Sequence, residues 1–202
     1  MREIILVGGG GHCRACADVI ETDGQYAIAG VTHLPENVGR TISGYPVVGT
    51  DDDLPDLIRR YRHVLVTVGM VKSAAVRVRL FERLASLGAE TPVIVSPRAW
   101  VSPRAAIGPG TIVMHDALVN AGASVGRNSI INTKALVEHD AMVGDHCHVS
   151  TGAILNGEAR LGHRSFLGSN AVARDGVSIG AGCVVGCGAR VVKDVPDGAI
   201  FI

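Results

Sequence analysis

Histidines gather in one part of this 202-residue chain, where they could move protons in a reaction. Four of the eight lie between residues 139 and 163. A histidine exchanges its proton near neutral pH. His139 is the leading candidate because Asp140 follows it, and an adjacent carboxylate can orient the ring and stabilise its charged form. The pair could therefore assist a nucleophile, whereas the alternative is a solvated surface histidine.

The same stretch also contains the residue types that bind zinc. These residues are His139, Asp140, His146, Cys147 and His148. No C-x-x-C or H-x-x-x-H pair frames them, and Cys147 occupies a position where the surrounding repeat requires a small, packed side chain. We therefore expect no metal.

Four glycines, residues 8–11, precede His12 near the start of the chain. Backbone N–H groups in such a turn can bind a phosphate or a sugar hydroxyl, although the glycines could also serve only to allow a tight turn. The dinucleotide fingerprint is incomplete, because Cys13 replaces its third glycine, and Thr32 and His33 stand where an acidic residue would follow the second strand. We expect contact with a ligand here, but no NAD site.

The cysteines do not indicate a disulfide framework. They are five in number, and three lie inside the repeat described below. Cys13 and Cys16 have the C-x-x-C spacing of a redox pair, yet they follow the glycine turn without a partner motif. We expect reduced thiols that pack at the start of a helix.

A repeat of six residues must position His139. Every sixth residue from Val101 to Val191 is Val, Ile or Leu, except Ala173, and the residue four places later is usually small. An unbroken phase of this kind is typical of a parallel β-helix, in which each hexad forms one side of a triangular prism. Alternating strands of a sandwich would share the period but not the unbroken phase.

Three hexads complete one coil, so residues 18 apart should stack in a column on successive coils. The numbering then places Gly157 next to His139, and Cys187 next to Ser169.

Strands and helices alternate before the repeat, which predicts a βαβ domain with a mainly parallel sheet. We predict strands at residues 4–7, 27–31, 47–48, 64–68 and 93–95, and helices at residues 14–21, 54–61 and 73–87. Asp51 or Asp52 is the predicted N-cap of the middle helix. Pro92, Pro97 and Pro103 punctuate the junction, so we predict domains over 1–96 and 97–202.

Composition narrows the partners and the location. Lysine plus arginine and aspartate plus glutamate number 19 each, so no net charge attracts nucleic acid or an anionic membrane. We see no leader peptide and no apolar run that could span a bilayer, and we expect a cytoplasmic protein.

Taken together, the motifs resemble the sialic acid O-acetyltransferase (NeuD) family of sugar O-acyltransferases, which includes bacterial UDP-4-amino-sugar N-acetyltransferases of bacillosamine synthesis. The likeness covers nearly the whole chain. It rests on Gly9-Gly10-Gly11-His12, Asn132-Thr133, Glu138-His139-Asp140, His148-Val149-Ser150-Thr151-Gly152-Ala153, Phe166-Leu167-Gly168 and Val191-Val192-Lys193-Asp194.

The resemblance implies a small Rossmann-like α/β domain followed by a left-handed β-helix of hexapeptide repeats. It also implies a homotrimer with acetyl-CoA between neighbouring subunits, a nucleotide-activated amino sugar held partly by the N-terminal domain, and no metal. In that mechanism the sugar amine or hydroxyl attacks the thioester directly, while His139 accepts its proton and Asp140 tunes the basicity of His139.

Carried over position by position, the resemblance implies two sets of binding residues. Those for acetyl-CoA are His148, Gly157, Ser169 and Cys187, and those for the sugar nucleotide are Gly10, Gly11, His12, Gly69 and Asn132. The chain departs from the family at Thr32-His33, where many relatives carry two aspartates. It also stops at Ile202, before a Gly-x-Pro-Ala-basic tail whose absence would alter the end of the CoA cleft.

Three functions compete at this point. The first is N-acetylation of a nucleotide-linked 4-amino-4,6-dideoxyhexose, and the second is O-acetylation of a sialic or related nonulosonic acid. The third is a non-catalytic β-helix that serves as a scaffold or a sugar sensor.

Overall fold

The computed structural model describes all residues, 1–202, and the chain forms two compact units. The first comprises Met1–Gly69 and Ala75–Ile94, and the second comprises Met70–Ala74 and Val95–Ile202. The predicted domains, 1–96 and 97–202, placed the short segment Met70–Ala74 in the first domain, whereas in the structure it belongs to the second unit.

The first unit contains a five-stranded sheet and three helices. Its elements are β1 Arg2–Val7, α1 Gly11–Asp23, β2 Tyr26–Thr32, β3 Thr41–Ile42, β4 Tyr45–Gly49, α2 Leu54–Tyr61, β5 His63–Val66 and α3 Ala75–Ser86, with 3-10 turns at Pro35–Asn37 and Asp51–Asp53. The strand order is β3-β4-β2-β1-β5, and only the β3–β4 pair is antiparallel. The predicted, mainly parallel sheet is therefore confirmed; β3 was missed because two residues show no periodicity.

Burial on both faces explains why strand β1 is apolar throughout residues 4–7. Residues 4–7 of β1 are fully buried, as expected for a parallel strand with elements on both sides. Leu54 and Ile58 of α2 pack into one core with Leu80 and Leu84 of α3. The two helices thus cover one face of the sheet, and ligands bind beyond the carboxyl ends of the strands in open α/β sheets of this kind.

The predicted cap of the middle helix is wrong. Neither Asp51 nor Asp52 supplies it, because the Thr50 hydroxyl oxygen accepts a hydrogen bond from the N–H of Asp52, and the Asp53 carboxylate accepts one from the N–H of Thr50. This capping box starts the 3-10 turn that leads into α2. The sequence alone did not show which residues form the capping box, because three consecutive aspartates, residues 51–53, follow Thr50.

The second unit is a left-handed parallel β-helix of two-residue strands. After β6 at Ile94–Val95, the strands are β7 Trp100–Val101, β8 Ala106–Ile107, β9 Ile112–Val113, β10 Leu118–Val119, β11 Ser124–Val125, β12 Ile130–Ile131, β13 Leu136–Val137, β14 Met142–Val143, β15 His148–Val149, β16 Ile154–Leu155, β17 Arg160–Leu161, β18 Phe166–Leu167, β19 Val172–Ala173, β20 Ser178–Ile179, β21 Val184–Val185, β22 Arg190–Val191 and β23 Ile200–Phe201. They form three sheets, one for each side of the prism.

The predicted coil length is confirmed by the strand register. Leu118 pairs with Leu136, and Leu136 with Ile154, each 18 residues further on. The second residue of each strand points inward, so Val137 and Leu155 are fully buried together with the small residues before each strand, such as Ala153. This stack of apolar layers holds every turn of the repeat in place.

Each corner of the prism needs one residue in the left-handed backbone region. Positive φ values recur at every sixth position, at glycines such as Gly122 (φ 74) and at polar residues such as Asp140 (φ 59) and His146 (φ 58).

The period ends after Val191, because Val184 pairs with Ile200, which is only 16 residues on. The final coil is therefore shorter than the others.

Candidate active site

His139 and Asp140 lie on the turn between β13 and β14. Nδ1 of His139 lies 3.0 Å from Oδ2 of Asp140. Because a carboxylate oxygen accepts, Nδ1 carries the proton and Nε2 of the neutral ring keeps its lone pair. Over half of each side chain is exposed, at 55% for His139 and 63% for Asp140, so the ring can reach a substrate.

Glu138 fixes the backbone of this turn. Its Oε2 accepts hydrogen bonds from the N–H of His139 and from Nδ2 of Asn120, both at 2.9 Å. The His139 pKa is raised, chiefly by the hydrogen bond to Asp140; burial, the second cause, lowers the pKa, and the charges of Asp140, Glu138 and Glu158 each raise it by less. The surrounding carboxylates thus strengthen His139 as a base.

Gly157 provides the floor beneath the imidazole ring. A Cβ at this position would lie 2.6 Å from Nε2 of His139, closer than any side chain tolerates. The N–H of Glu158 also donates to the carbonyl of His139, at 3.0 Å. The predicted stacking of Gly157 on His139 is confirmed, although its predicted contact with acetyl-CoA stays a prediction.

His148 and Asn132 meet in the structure. Nδ1 of His148 donates to the carbonyl of Met70 at 2.5 Å, which leaves Nε2 to accept from Nδ2 of Asn132 at 3.0 Å. The ring is 6% exposed and packs edge-on against Phe166. Both ring nitrogens are therefore occupied, and the observed contacts of His148 anchor the segment Met70–Ala74.

Ser169 and Cys187 lie at a second corner of the prism. They occupy equivalent turn positions on successive coils, and the N–H of Gly188 donates to the carbonyl of Ser169 at 2.8 Å. The Ser169 hydroxyl also lies 3.0 Å from the hydroxyl of Ser150, while Cys187 is exposed. Their turns precede β19 and β22, whereas the His139 turn follows β13 of the same sheet. The two corners therefore border one face of the prism, and the structure does not bring them together within one chain.

The glycine turn divides into two pairs with different roles. Gly8, at φ 106, meets Val68, and Gly9 meets His33 and Ile42, so a side chain at either position would clash. By contrast, no atom lies within 4 Å of a Cβ built at Gly10 or Gly11. Packing thus explains only the first pair, and the second leaves open space at the start of α1.

His12 and Gly69 are neighbours in the first unit. A Cβ at Gly69 would lie 3.4 Å from the Cβ of His12, which is an ordinary but close contact. These two predicted substrate-binding residues therefore line the same edge of the sheet, just beyond β1 and β5.

Two adjoining cavities open at this edge. The first, of about 250 Å³, includes Gly8, Gly9 and Gly10 in its wall. The second, of about 380 Å³, has no glycine in its wall and is lined instead by residues that include Thr50 and Arg83. Residues shared by both walls are His33, Leu34, Asp51, Arg79 and Leu80. Sequence reasoning did not select Asp51 or Arg79 for binding, although the rule that ligands bind beyond parallel strands points to the turn after β4.

The cysteines of the predicted packing positions are buried and reduced. Burial raises the pKa of Cys13 and Cys16, and it raises that of Cys147 to about 12. A thiol with a raised pKa is a poor nucleophile, so the C-x-x-C pair serves packing as expected. No group of three or more His, Cys, Asp or Glu side chains is arranged to hold a metal ion. None of the helices is both long enough and apolar enough to cross a bilayer.

Comparison with known proteins adds family and structural matches. Residues 3–84 match the PglD N-terminal domain, and residues 159–192 match the hexapeptide repeat of succinyl-transferase. No curated protein sequence matches the chain significantly.

Among solved structures, the acetyltransferase domain of PglB from Neisseria gonorrhoeae, in complex with acetyl coenzyme A, is 35% identical, with a TM-score of 0.91 over 98% of this chain and 95% of that one. PerB from Caulobacter crescentus, in complex with CoA and GDP-perosamine, is 32% identical, with a TM-score of 0.91 over 99% and 93%. WeeI from Acinetobacter baumannii, at 23% identity and a TM-score of 0.86 over 98% and 95%, shares the fold.

The likeness to the PglB domain and to PerB spans both units, and the match to the PglD N-terminal domain covers most of the first unit together with the segment Met70–Ala74. The fold, the repeat and these matches agree with the resemblance seen in the motifs. The chain therefore belongs to the hexapeptide-repeat family of sugar acyltransferases, and it is an acetyltransferase that uses acetyl-CoA.

Proposed function

We propose that this enzyme transfers the acetyl group of acetyl-CoA to the 4-amino group of a nucleotide-linked 4-amino-4,6-dideoxyhexose, with His139 as the general base. The observation that carries the proposal is the hydrogen bond from Nδ1 of His139 to Asp140, which leaves Nε2 free to accept a proton. PerB, which is 32% identical over almost the whole chain, was solved with CoA and the amino-sugar nucleotide GDP-perosamine.

In this reaction the amine nitrogen attacks the thioester carbonyl while Nε2 of His139 takes its proton. The C–N bond forms, a tetrahedral oxyanion develops, and the C–S bond then breaks to release the CoA thiolate. The imidazolium returns the proton to that thiolate, so no further reactant is needed. The Asp140 carboxylate, 3.0 Å from Nδ1, stabilises the charged ring.

We also propose that the chain assembles as a homotrimer, with each active site between two subunits. Support comes from the prism face between the two corners described above. Five of its six outward positions are apolar, namely Trp100, which is 60% exposed, and the half-buried Leu118, Leu136, Ile154 and Val172, and the sixth is Arg190 at the end of the face. The next face is more polar, because it presents Ser124, Arg160 and Ser178 beside Ala106 and Met142. A neighbour that covers the apolar face would bring a His139 corner close to a Ser169 corner.

Thiol release from acetyl-CoA tests the chemistry. We expect turnover with GDP-, UDP- or dTDP-linked 4-amino-4,6-dideoxyhexoses, and none with sialic acids; activity confined to sialic acids would replace N-acetylation by O-acetylation. Replacing His139 by Ala should lower kcat by about 100-fold or more. His163→Ala is a matched control, because His163 is also exposed in the repeat (67%) but contacts Asp145 instead. Equal rates for the two variants would remove His139 as the base.

A further inference from the structure

A side chain on the coil before the proposed base binds the same carboxylate as the backbone of that base. Oε2 of Glu138 accepts from the N–H of His139 and from Nδ2 of Asn120, both at 2.9 Å. Asn120 and Glu138 are 18 residues apart, so they occupy one column on successive coils. Both side chains are half-buried, whereas the His139 side chain is over half exposed. The exposed ring is thus linked, through Glu138, to a residue of the preceding coil.

The second contact of the Asn120 amide fixes its orientation. Its Oδ1 accepts from the N–H of Ala121 at 2.8 Å, so the amide nitrogen is the atom that faces Glu138. That nitrogen and the N–H of His139 are both donors, and one carboxylate oxygen can accept from both. The contacts therefore form a chain, in which Ala121 orients Asn120, Asn120 orients Glu138, and Glu138 holds the N–H of His139.

The backbone ladder of the β-helix does not hold this N–H. On one side of it, the N–H of Glu138 donates to the carbonyl of Leu155 at 2.9 Å, and on the other, the N–H of Asp140 donates to that of Ala121 at 3.1 Å. The N–H of His139, between them, donates to the Glu138 side chain instead. A flexible glutamate side chain gives up rotamer freedom to make this bond, so the further bond from Asn120 decides which conformation the carboxylate keeps.

We propose that Asn120 is a positioning residue for the acetyl transfer, because it holds the Glu138 carboxylate against the backbone of His139 and thereby aims the imidazole at the acceptor amine. This inference rests on the proposed role of His139 as the general base. Asn120 acts only through Glu138 and does not touch the reacting atoms. Since a displacement of about 1 Å can cost about 100-fold in rate, loss of the link should slow the chemical step and leave the binding of both substrates unchanged.

A double-mutant cycle tests the route through Glu138, with kcat and both KM values measured by thiol release on the alkaline plateau of the pH–rate profile. Asn120→Ala should lower kcat about 10-fold and change each KM by less than about twofold. Glu138→Ala should lower kcat at least as far, and adding Asn120→Ala to it should cost nothing further. Glu138→Gln, whose amide oxygen can accept from the same two donors, should retain most of the kcat of the unaltered protein.

A second variant removes the donor and keeps the shape of the side chain. Asn120→Asp preserves the acceptor for the N–H of Ala121 but sets a carboxylate against that of Glu138, so kcat should fall at least as far as in Asn120→Ala. Arg127→Ala is the matched control, because Nε of Arg127 donates to Oδ2 of Asp145, also 18 residues on, at 3.2 Å and at another corner of the prism. Its kcat should equal that of the unaltered protein.

Four results would overturn the positioning role. They are additive losses in the cycle, an equal loss in Arg127→Ala, a Glu138→Gln variant as slow as Glu138→Ala, and undiminished kcat in both Asn120 variants while His139→Ala is impaired. The third would assign the effect of Glu138 to its charge instead of its position. Undiminished turnover in His139→Ala would reject the proposed base itself, and this inference with it.

Discussion

The Asp140 carboxylate lies 3.0 Å from Nδ1 of His139, and both residues sit on one exposed turn of the β-helix. Asp140 can take this position because it occupies the corner of the prism that needs a positive φ, here 59°. On the coil before, the corner residue is Gly122, which leaves room for the Asp140 side chain. The repeat therefore builds the proposed catalytic pair from its own turn geometry.

Asp140→Asn should move the acid limb of the pH–rate profile to lower pH. Asp140 is the main cause of the raised His139 pKa, and the active base is lost as the pH falls through that pKa. With a neutral amide the pKa falls, so the base survives to lower pH. The plateau of kcat should also drop by about 10- to 100-fold, since the ring loses its orienting carboxylate.

The measurement is kcat/KM for the acetyl acceptor from pH 5 to pH 9. Asp116→Asn is a suitable control, because Asp116 occupies an equivalent prism corner but pairs with Arg98 at 2.9 Å. An unshifted acid limb in Asp140→Asn would show that Asp140 does not tune the base.

Gly157→Ala should impair turnover only because it displaces the imidazole ring of His139. The new methyl group would occupy the space of Nε2, 2.6 Å away, and displace the ring. We expect a loss of at least about 10-fold in kcat. The double variant His139→Ala/Gly157→Ala separates this effect from a change in acetyl-CoA binding, because the methyl group should cost nothing further once the ring is absent. An additive loss would indicate that Gly157 acts on its own, for example in the acetyl-CoA path.

The β-helix could be predicted from sequence because its core repeats. Val119, Val137 and Leu155 are fully buried on three successive coils, and such regular burial leaves a visible period. The same 18-residue coil length predicted that Gly157 lies next to His139. The left-handed corner positions were harder to see, because Lys134 and Glu158 occupy them as well as glycine and asparagine.

Contacts between distant segments left no such signal. His148 reaches the carbonyl of Met70, which is 78 residues away in sequence. No local pattern links a strand residue of the repeat with a loop after β5, and so the anchoring of Met70–Ala74 was not predicted. The orientation of His33 was equally hidden, since it depends on donors from Leu34 and Asn37 and on the bare backbone of Gly9.

His148→Phe should release the segment Met70–Ala74 without disturbing the coils. The ring would still pack on Phe166, but the 2.5 Å hydrogen bond to Met70 and the acceptor for Asn132 would be lost. The buried carbonyl of Met70 would lose its donor, which costs about 1–3 kcal/mol, so the midpoint of urea unfolding should also fall. Hydrogen exchange should quicken at residues 70–74 and stay slow in β10 to β18. Unchanged exchange in the segment would mean that other contacts hold it.

Leu136→Asp should dissociate the proposed trimer and abolish turnover. Leu136 is half-buried at the centre of the apolar face, flanked by Leu118 and Ile154 on the adjacent coils, and a carboxylate there could not be desolvated by a neighbour. Met142→Asp is the control, because Met142 is 46% exposed and lies on the next face. Sedimentation should give three times the 21.0 kDa chain mass for the control and a single chain for Leu136→Asp. In the proposed trimer, each cleft takes its His139 corner from one subunit and its Ser169 corner from the neighbouring subunit. Activity should therefore disappear with the trimer, even though His139 and Asp140 are intact. An active Leu136→Asp monomer would contradict a site shared between subunits.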